Sequence, residues 1–154
     1  MKDYIEQLKK DFPEMYVDPY CGVGYGVGWH DLIYKLSKYI YGFREFGVNV
    51  KVIQIKQKFR TLRYYIDAEF KKHKVWDETT QQHYLNDING AIGFAEYLSG
   101  FICEECGSPG SEKRAGAGWI TTLCDECHGK IKREEVRAEI EWAKKHKDLK
   151  KFIK

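Results

Sequence analysis

The sequence predicts an α+β fold: a small antiparallel sheet flanked by helices, followed by a C-terminal cysteine module that ends in a helix. Three observations predict it. Two Cys-x-x-Cys pairs, Cys103/Cys106 and Cys124/Cys127, are separated by the 17 residues 107–123. A Val- and Ile-rich run from Val48 to Ile55 is followed, after a short polar break, by a second strand-prone run from Thr61 to Ile66. Stripes of apolar residues at helical spacing lie on both sides of that strand pair. The expected division is an α+β core over residues 1–100 and, over 101–154, the cysteine module with its helix and a basic tail.

The cysteines carry the firmest chemistry. Two thiols spaced by two residues turn toward one point, and two such knuckles make the closed tetrahedral site that Zn²⁺ prefers. Gly107, directly after Cys106, suits the tight turn of a knuckle. Ser108-Pro109-Gly110 and Gly116-Ala117-Gly118 supply turns, and Trp119 to Leu123 is strand-prone and runs into Cys124. Helical sequence after Cys127 favours a treble-clef-like module, with a zinc ribbon as the alternative. One structural Zn²⁺ on Cys103, Cys106, Cys124 and Cys127 would leave no open position for substrate, and its binding free energy would be folding free energy, on the order of 10 kcal/mol.

In chain order, residues 2–12 place Ile5, Leu8 and Phe12 on one helical face, and Pro13 stops that helix. Cys21 to Trp29 then carries glycine at every second position: Gly22, Gly24, Gly26 and Gly28. One reading is a small-ligand loop that cradles phosphate at the start of the next helix; the other is a close-packed or flexible connection. Trp29, Leu32, Ile33, Leu36, Ile40 and Phe43 form the inner stripe of that helix, with Asp31, Lys35 and Lys38 opposite. Cys21 and His30 flank its start without a third, orienting group.

Val48 to Ile55 has Val and Ile at adjacent positions and reads as a strand covered on both sides, or as one inside a mixed sheet. Gln57-Lys58-Phe59-Arg60 reads as the turn of the hairpin. Lys56, Lys58, Arg60 and Arg63, interleaved with Phe59, Tyr64 and Tyr65, suit phosphate contact and base stacking, or equally the charged edge that blocks strand addition. Glu69 to Lys74 is a charged linker. Thr79-x-x-Gln82 is a capping box opening a helix with Tyr84, Leu85, Ile88, Ile92 and Ala95 inside; Gly90 and Gly93 imply close packing against a neighbour. The last helix has two apolar faces, Val136/Ile140/Ala143 and Ile131/Ala138/Trp142, one able to dock on the cysteine module and the other left for the main core or a partner. Between them runs a basic strip of Lys130, Arg133, Arg137 and Lys144, continued by a basic tail.

A net charge of +3 is too small to require a nucleic-acid partner, so the distribution of charge matters more than its sum. No run is long enough to span a membrane, and the first residues read as an amphipathic helix rather than a signal peptide. With reduced thiols in a metal site, a cytoplasmic setting is expected.

Leu123-Cys-Asp-Glu-Cys-His128 resembles the end of a zinc-bearing HNH nuclease, but residues 107–123 contain none of the His or Asn that this family places between its knuckles. A second resemblance covers most of the chain: Gly-x-Gly-Trp29, Ile53-x-Ile-Lys-x-Lys-Phe59-x-Thr-Leu-Arg63-Tyr-Tyr, Cys103-x-x-Cys-Gly-x-Pro-Gly110 and Thr122-Leu-Cys-x-x-Cys127. In these it is similar to a group of small, uncharacterised zinc-containing proteins of bacteriophages and bacteria. Val27 stands where that group often carries an acidic residue. The resemblance implies a phage accessory factor working in a host cytoplasm. No carboxylate pair, triad or open metal site can be assembled from spacing, so a non-enzymatic binding protein is expected. Its partner would be nucleic acid, through the basic hairpin and helix, or a host protein of an enzyme or anti-phage defence system, through the apolar helix faces; sequestration of a nucleotide by the glycine loop is a third reading.

Overall fold

The computed structural model describes residues 2–17, 22–71, 77–115 and 119–145. Tyr20, Cys21, the end of the charged linker, the Gly116-Ala117-Gly118 turn and the tail after Lys145 lie outside the described residues. The fold is α+β, with a sheet of three strands packed against helices and a cysteine module ending in a helix.

Helix α1, Lys2–Asp11, buries Leu8, and Phe12 just beyond it is buried as well. Helix α2, His30–Gly42, buries Ile33, Leu36 and Ile40, while Asp31 and Lys35 pair on its outer face at 2.6 Å. Trp29, immediately before it, is wholly buried. Strand β2, Val48–Lys58, and strand β3, Thr61–Phe70, form the expected antiparallel hairpin. It is longer than the sequence indicated, because the turn is only Phe59-Arg60. Both residues have positive φ, 49° and 68°, which is the turn geometry that matches strand twist in two-residue hairpins. Asn or Gly normally fills it, and side chains other than these cost about 1–2 kcal/mol each there.

Two further findings concern the sheet. It is not purely antiparallel but mixed, as one reading of Val48–Ile55 allows: Gly22–Gly24 forms strand β1, parallel to β2, with Val23 opposite Ile55. Nor is β2 covered on both sides. A bulge between Val52 and Gln54 turns Ile53 out to solvent and shifts the alternation, so that Val48, Val50, Val52 and Ile55 all reach one buried face. That face, with Leu62 and Tyr64 of β3, shares a core with α1, α2 and α3 (Glu78–Ser99). The other face carries Lys51, Lys56, Tyr65, Asp67 and Glu69 and stays open.

Helix α3 is capped by Asp77 rather than by the expected box at Thr79. The Asp77 carboxylate accepts from the Thr80 amide at 2.7 Å and from the Thr80 hydroxyl at 3.1 Å. The helix buries Ile88, Ile92 and Ala95 as expected, and it also covers the outer edge of β3. The Leu62 amide donates to Ser99 Oγ at 2.8 Å, and the Tyr64 amide to Glu96 Oε1 at 3.1 Å, so part of the sheet edge is closed by side chains. Gly90 and Gly93 do not mark close packing; a Cβ at either would meet nothing within 4 Å. Inside the core a hydroxyl cluster satisfies itself: Tyr16 Oη lies 2.7 Å from Ser37 Oγ, and Ser37 Oγ lies 2.9 Å from Tyr64 Oη. Tyr64 is therefore a core residue and not a stacking surface.

In the module, β4 (Ser111–Ala115) and β5 (Trp119–Leu123) form a hairpin between the knuckles, and α4, Asp125–Lys145, begins directly after Cys124. This is the treble-clef order of knuckle, hairpin and helix. Neither expected apolar face of α4 is packed away: Val136, Ile140 and Trp142 are exposed. The side chain of Ala143 lies outside the described residues.

Candidate metal centre and the surface beside it

The first knuckle is shaped by backbone bonds. The Cys103 amide donates to Ser108 O at 2.7 Å, the Gly107 amide returns to Cys103 O at 2.9 Å, and Gly107 takes φ +77°, the left-handed turn glycine adopts at low cost. Strand β5 delivers Cys124, and the first turn of α4 delivers Cys127, whose amide donates to Cys124 Sγ at 3.4 Å. The four sulfur atoms lie within 4.8 Å of one another.

This arrangement fits a tetrahedral thiolate site. Metal–sulfur bonds of about 2.3 Å at tetrahedral angles require sulfurs roughly 3.8 Å apart. Cys106 Sγ and Cys124 Sγ are 3.7 Å apart. Hydrogen bonds from Ser108 bring the Cys106 thiol down to about 6, whereas burial pushes Cys103 and Cys127 up. A dication binding here would displace the thiol protons that remain, so its affinity would fall as pH falls. Among the described residues no His, Asp or Glu joins the cluster. All four positions of a tetrahedral ion would be held by protein.

The knuckle is seated on the glycine loop. The Gly28 amide donates to Glu104 O at 2.7 Å, and the Trp29 indole N–H donates to Ile102 O at 2.8 Å, one residue before the first ligand. A Cβ on Gly28 would lie 2.1 Å from Cys103 O, and one on Gly26 would lie 2.3 Å from Glu104 O. The space at Gly26 and Gly28 that a phosphate cradle needs is filled by knuckle backbone, and the Gly28 and Trp29 amides are already engaged. Gly22 sits against the Gln54 side chain, and only Gly24 faces open space. Burial in this seam raises the Glu104 carboxyl to about 7.

The cations named by the sequence divide into engaged and free. Arg60 reaches Glu112 at 3.5 Å, Arg63 reaches Glu96 at 3.5 Å and also bonds Thr61 and Leu62, and Lys130 pairs with Glu126 at 2.7 Å. Lys56 and Lys58 have no carboxylate partner among the described residues; their ammonium groups stand 5.4 Å from the Tyr65 and Phe59 rings respectively. Arg133, Arg137 and Lys144 on α4 are likewise without an ion pair among the described residues.

Beside these lysines lies a residue that the sequence does not mark as functional. Trp119 reads as a strand residue, yet it is 65% exposed and shares an apolar cleft of about 360 Å³ with Gln57, Lys58, Phe59 and Ile120. Its position follows from tertiary docking of two hairpins, which has no local signature. Among the described residues, no helix is long and apolar enough to cross a membrane. No family model, no curated protein and no solved structure matches the chain.

Proposed function

We propose that this chain is a non-enzymatic, zinc-stabilised nucleic-acid-binding protein, acting as an accessory factor of a bacteriophage in the host cytoplasm. The observation that carries this reading is the pair Lys56 and Lys58: cations without carboxylate partners among the described residues, each beside an aromatic ring, where the sheet is open. Unneutralised lysines next to exposed rings suit a phosphate backbone, because the ammonium groups meet phosphate while ring faces meet bases. Arg133, Arg137 and Lys144 add positive charge on α4, interspersed with Glu134, Glu135, Glu139 and Glu141. Zinc suits the four-thiol set, and its role is to hold the β4–β5 hairpin and the start of α4 in place.

Binding to a labelled oligonucleotide, measured from low to moderate salt, tests the proposal. Affinity should fall steeply with salt, and Lys56→Ala with Lys58→Ala should flatten the slope by about 0.7–0.9 per phosphate contact removed. Salt-independent association, or none, sinks the reading.

A host-protein partner is the second reading, and one observation favours it. Phe94, Tyr97 and Phe101 are exposed and lie ring against ring, with Tyr97 and Phe101 centroids 5.1 Å apart. Capture from host lysate with and without nuclease separates the two. A partner that survives nuclease at fixed stoichiometry supports a protein interface.

A further inference from the structure

We infer that the cleft between the β2–β3 turn and the start of β5 is a stacking site for one unpaired nucleobase, so that the nucleic acid this protein takes is single-stranded. The inference rests on the nucleic-acid reading above and names its substrate class.

The two walls come from different parts of the fold. Phe59 stands on the β2–β3 turn and Trp119 opens β5. The turn holds its ring outward by a backbone that such residues seldom adopt, positive φ at both Phe59 and Arg60, and Phe59 is 71% exposed. An unfavourable turn geometry combined with an exposed ring is a recurring mark of a functional site. Nothing in the core requires that ring.

The walls are also fixed relative to each other. Thr122 Oγ1 donates to Arg60 O at 2.8 Å, Gln57 Nε2 donates to Ile120 O at 2.7 Å, and the Arg60 guanidinium meets Glu112. The cleft therefore exists before any ligand arrives, which lowers the cost of binding. Its volume, about 360 Å³, is at the small end for ligand sites, of the order that a single nucleoside needs.

The charge beside the cleft suits a nucleotide over other flat groups. Gln57 lines the cleft, and its Nε2 ties the β2–β3 hairpin to β5 through Ile120 O. Lys58 at the rim and Lys56 along the strand offer positive charge to the phosphates on either side of the stacked nucleotide. A duplex keeps its base faces inside its own stack and cannot fill the cleft; a single strand presents them.

Fluorescein-labelled oligothymidylate, oligouridylate and a mixed-sequence duplex of equal length, titrated against the zinc-loaded chain at fixed salt, test this. The single strands should bind at least about tenfold tighter than the duplex, and the two strand types distinguish DNA from RNA as the preferred source. Phe59→Ala and Trp119→Ala should each weaken single-strand binding about tenfold while leaving the salt slope and duplex binding as they were. Both rings are exposed, so the fold should survive; zinc content and circular dichroism check it. Trp119 emission, taken as wild type minus Trp119→Phe, should be quenched by oligothymidylate. Single strand and duplex bound alike, with Phe59→Ala and Trp119→Ala silent and salt dependence intact, would overturn the cleft and leave the nucleic-acid reading standing. No binding to any of the three probes would overturn both.

Discussion

Gly28→Ala adds one methyl group where the structure has no room for it. The new carbon would lie 2.1 Å from Cys103 O, 2.4 Å from the Gly107 amide nitrogen and 2.8 Å from the Cys106 amide nitrogen, all backbone of the first knuckle. No side chain can swing aside, so the seam must open by about an ångström, enough to break the 2.7 Å bond from the Gly28 amide to Glu104 O. Overpacking of this kind costs about 1–3 kcal/mol, and an orphaned buried amide about 1–3 kcal/mol more. The expected loss, roughly 2–5 kcal/mol, is a large part of the 5–15 kcal/mol that a typical domain has. Gly28 does not have positive φ, so the penalty is steric and not conformational. Denaturant unfolding of the zinc-loaded protein measures it, and chelator competition reads the accompanying loss of metal affinity. Gly24→Ala is the matched control: a Cβ there meets nothing within 4 Å, so only a few tenths of a kcal/mol are expected. Gly28→Ala unfolding within about 0.5 kcal/mol of wild type, with metal affinity unchanged, would refute the account of the seam.

Other perturbations follow from the same geometry. Native mass spectrometry should find one zinc per chain, and Cys103→Ser should release it and destabilise the protein by several kcal/mol; a zinc-free, equally stable protein contradicts the metal assignment. Gly90→Ala and Gly93→Ala should each stabilise by about 0.8–1 kcal/mol in thermal or denaturant unfolding, since the helix gains propensity and nothing is touched. Ser99→Ala should cost about 1–3 kcal/mol, because it strips the Leu62 amide of its acceptor at the covered sheet edge. Faster hydrogen exchange at Leu62 would locate that loss, and unchanged exchange there would argue against it.

What was legible in the sequence is what local chemistry determines. The cysteine spacing, the strand Trp119–Leu123, the apolar stripe of α2 and the existence of the β2–β3 hairpin all follow from spacing or periodicity within a few residues. What escaped was set by contacts between distant segments. Glycines do not read as a strand, and β1 pairs with β2 in a region where the knuckle backbone also claims Gly26 and Gly28. Ile53 next to Val52 looked like cover on both faces because a bulge leaves no mark on the pattern of apolar residues. The turn Phe59-Arg60 lacks the Asn or Gly that announces its type, so the ends of both strands are hidden in the sequence. The cap at Asp77 lay just outside a better-known box at Thr79. The cations were visible by type, but which of them were already paired depended on Glu96, Glu112 and Glu126 arriving beside them.

The indole of Trp29 lies wholly inside the hydrophobic core, while its N–H holds the carbonyl of Ile102 just ahead of the first metal ligand. One side chain thus belongs to two equilibria, the closing of the core and the loading of the ion. Linkage makes their coupling reciprocal: whatever factor the ion adds to the population of the docked core, an intact core adds to the affinity for the ion. With zinc in the four-thiol site, a destabilised core would shed it at free-ion levels that the native protein would withstand, although every thiol is still present. In a cell that buffers zinc tightly, metal occupancy would become a sensor of folding quality.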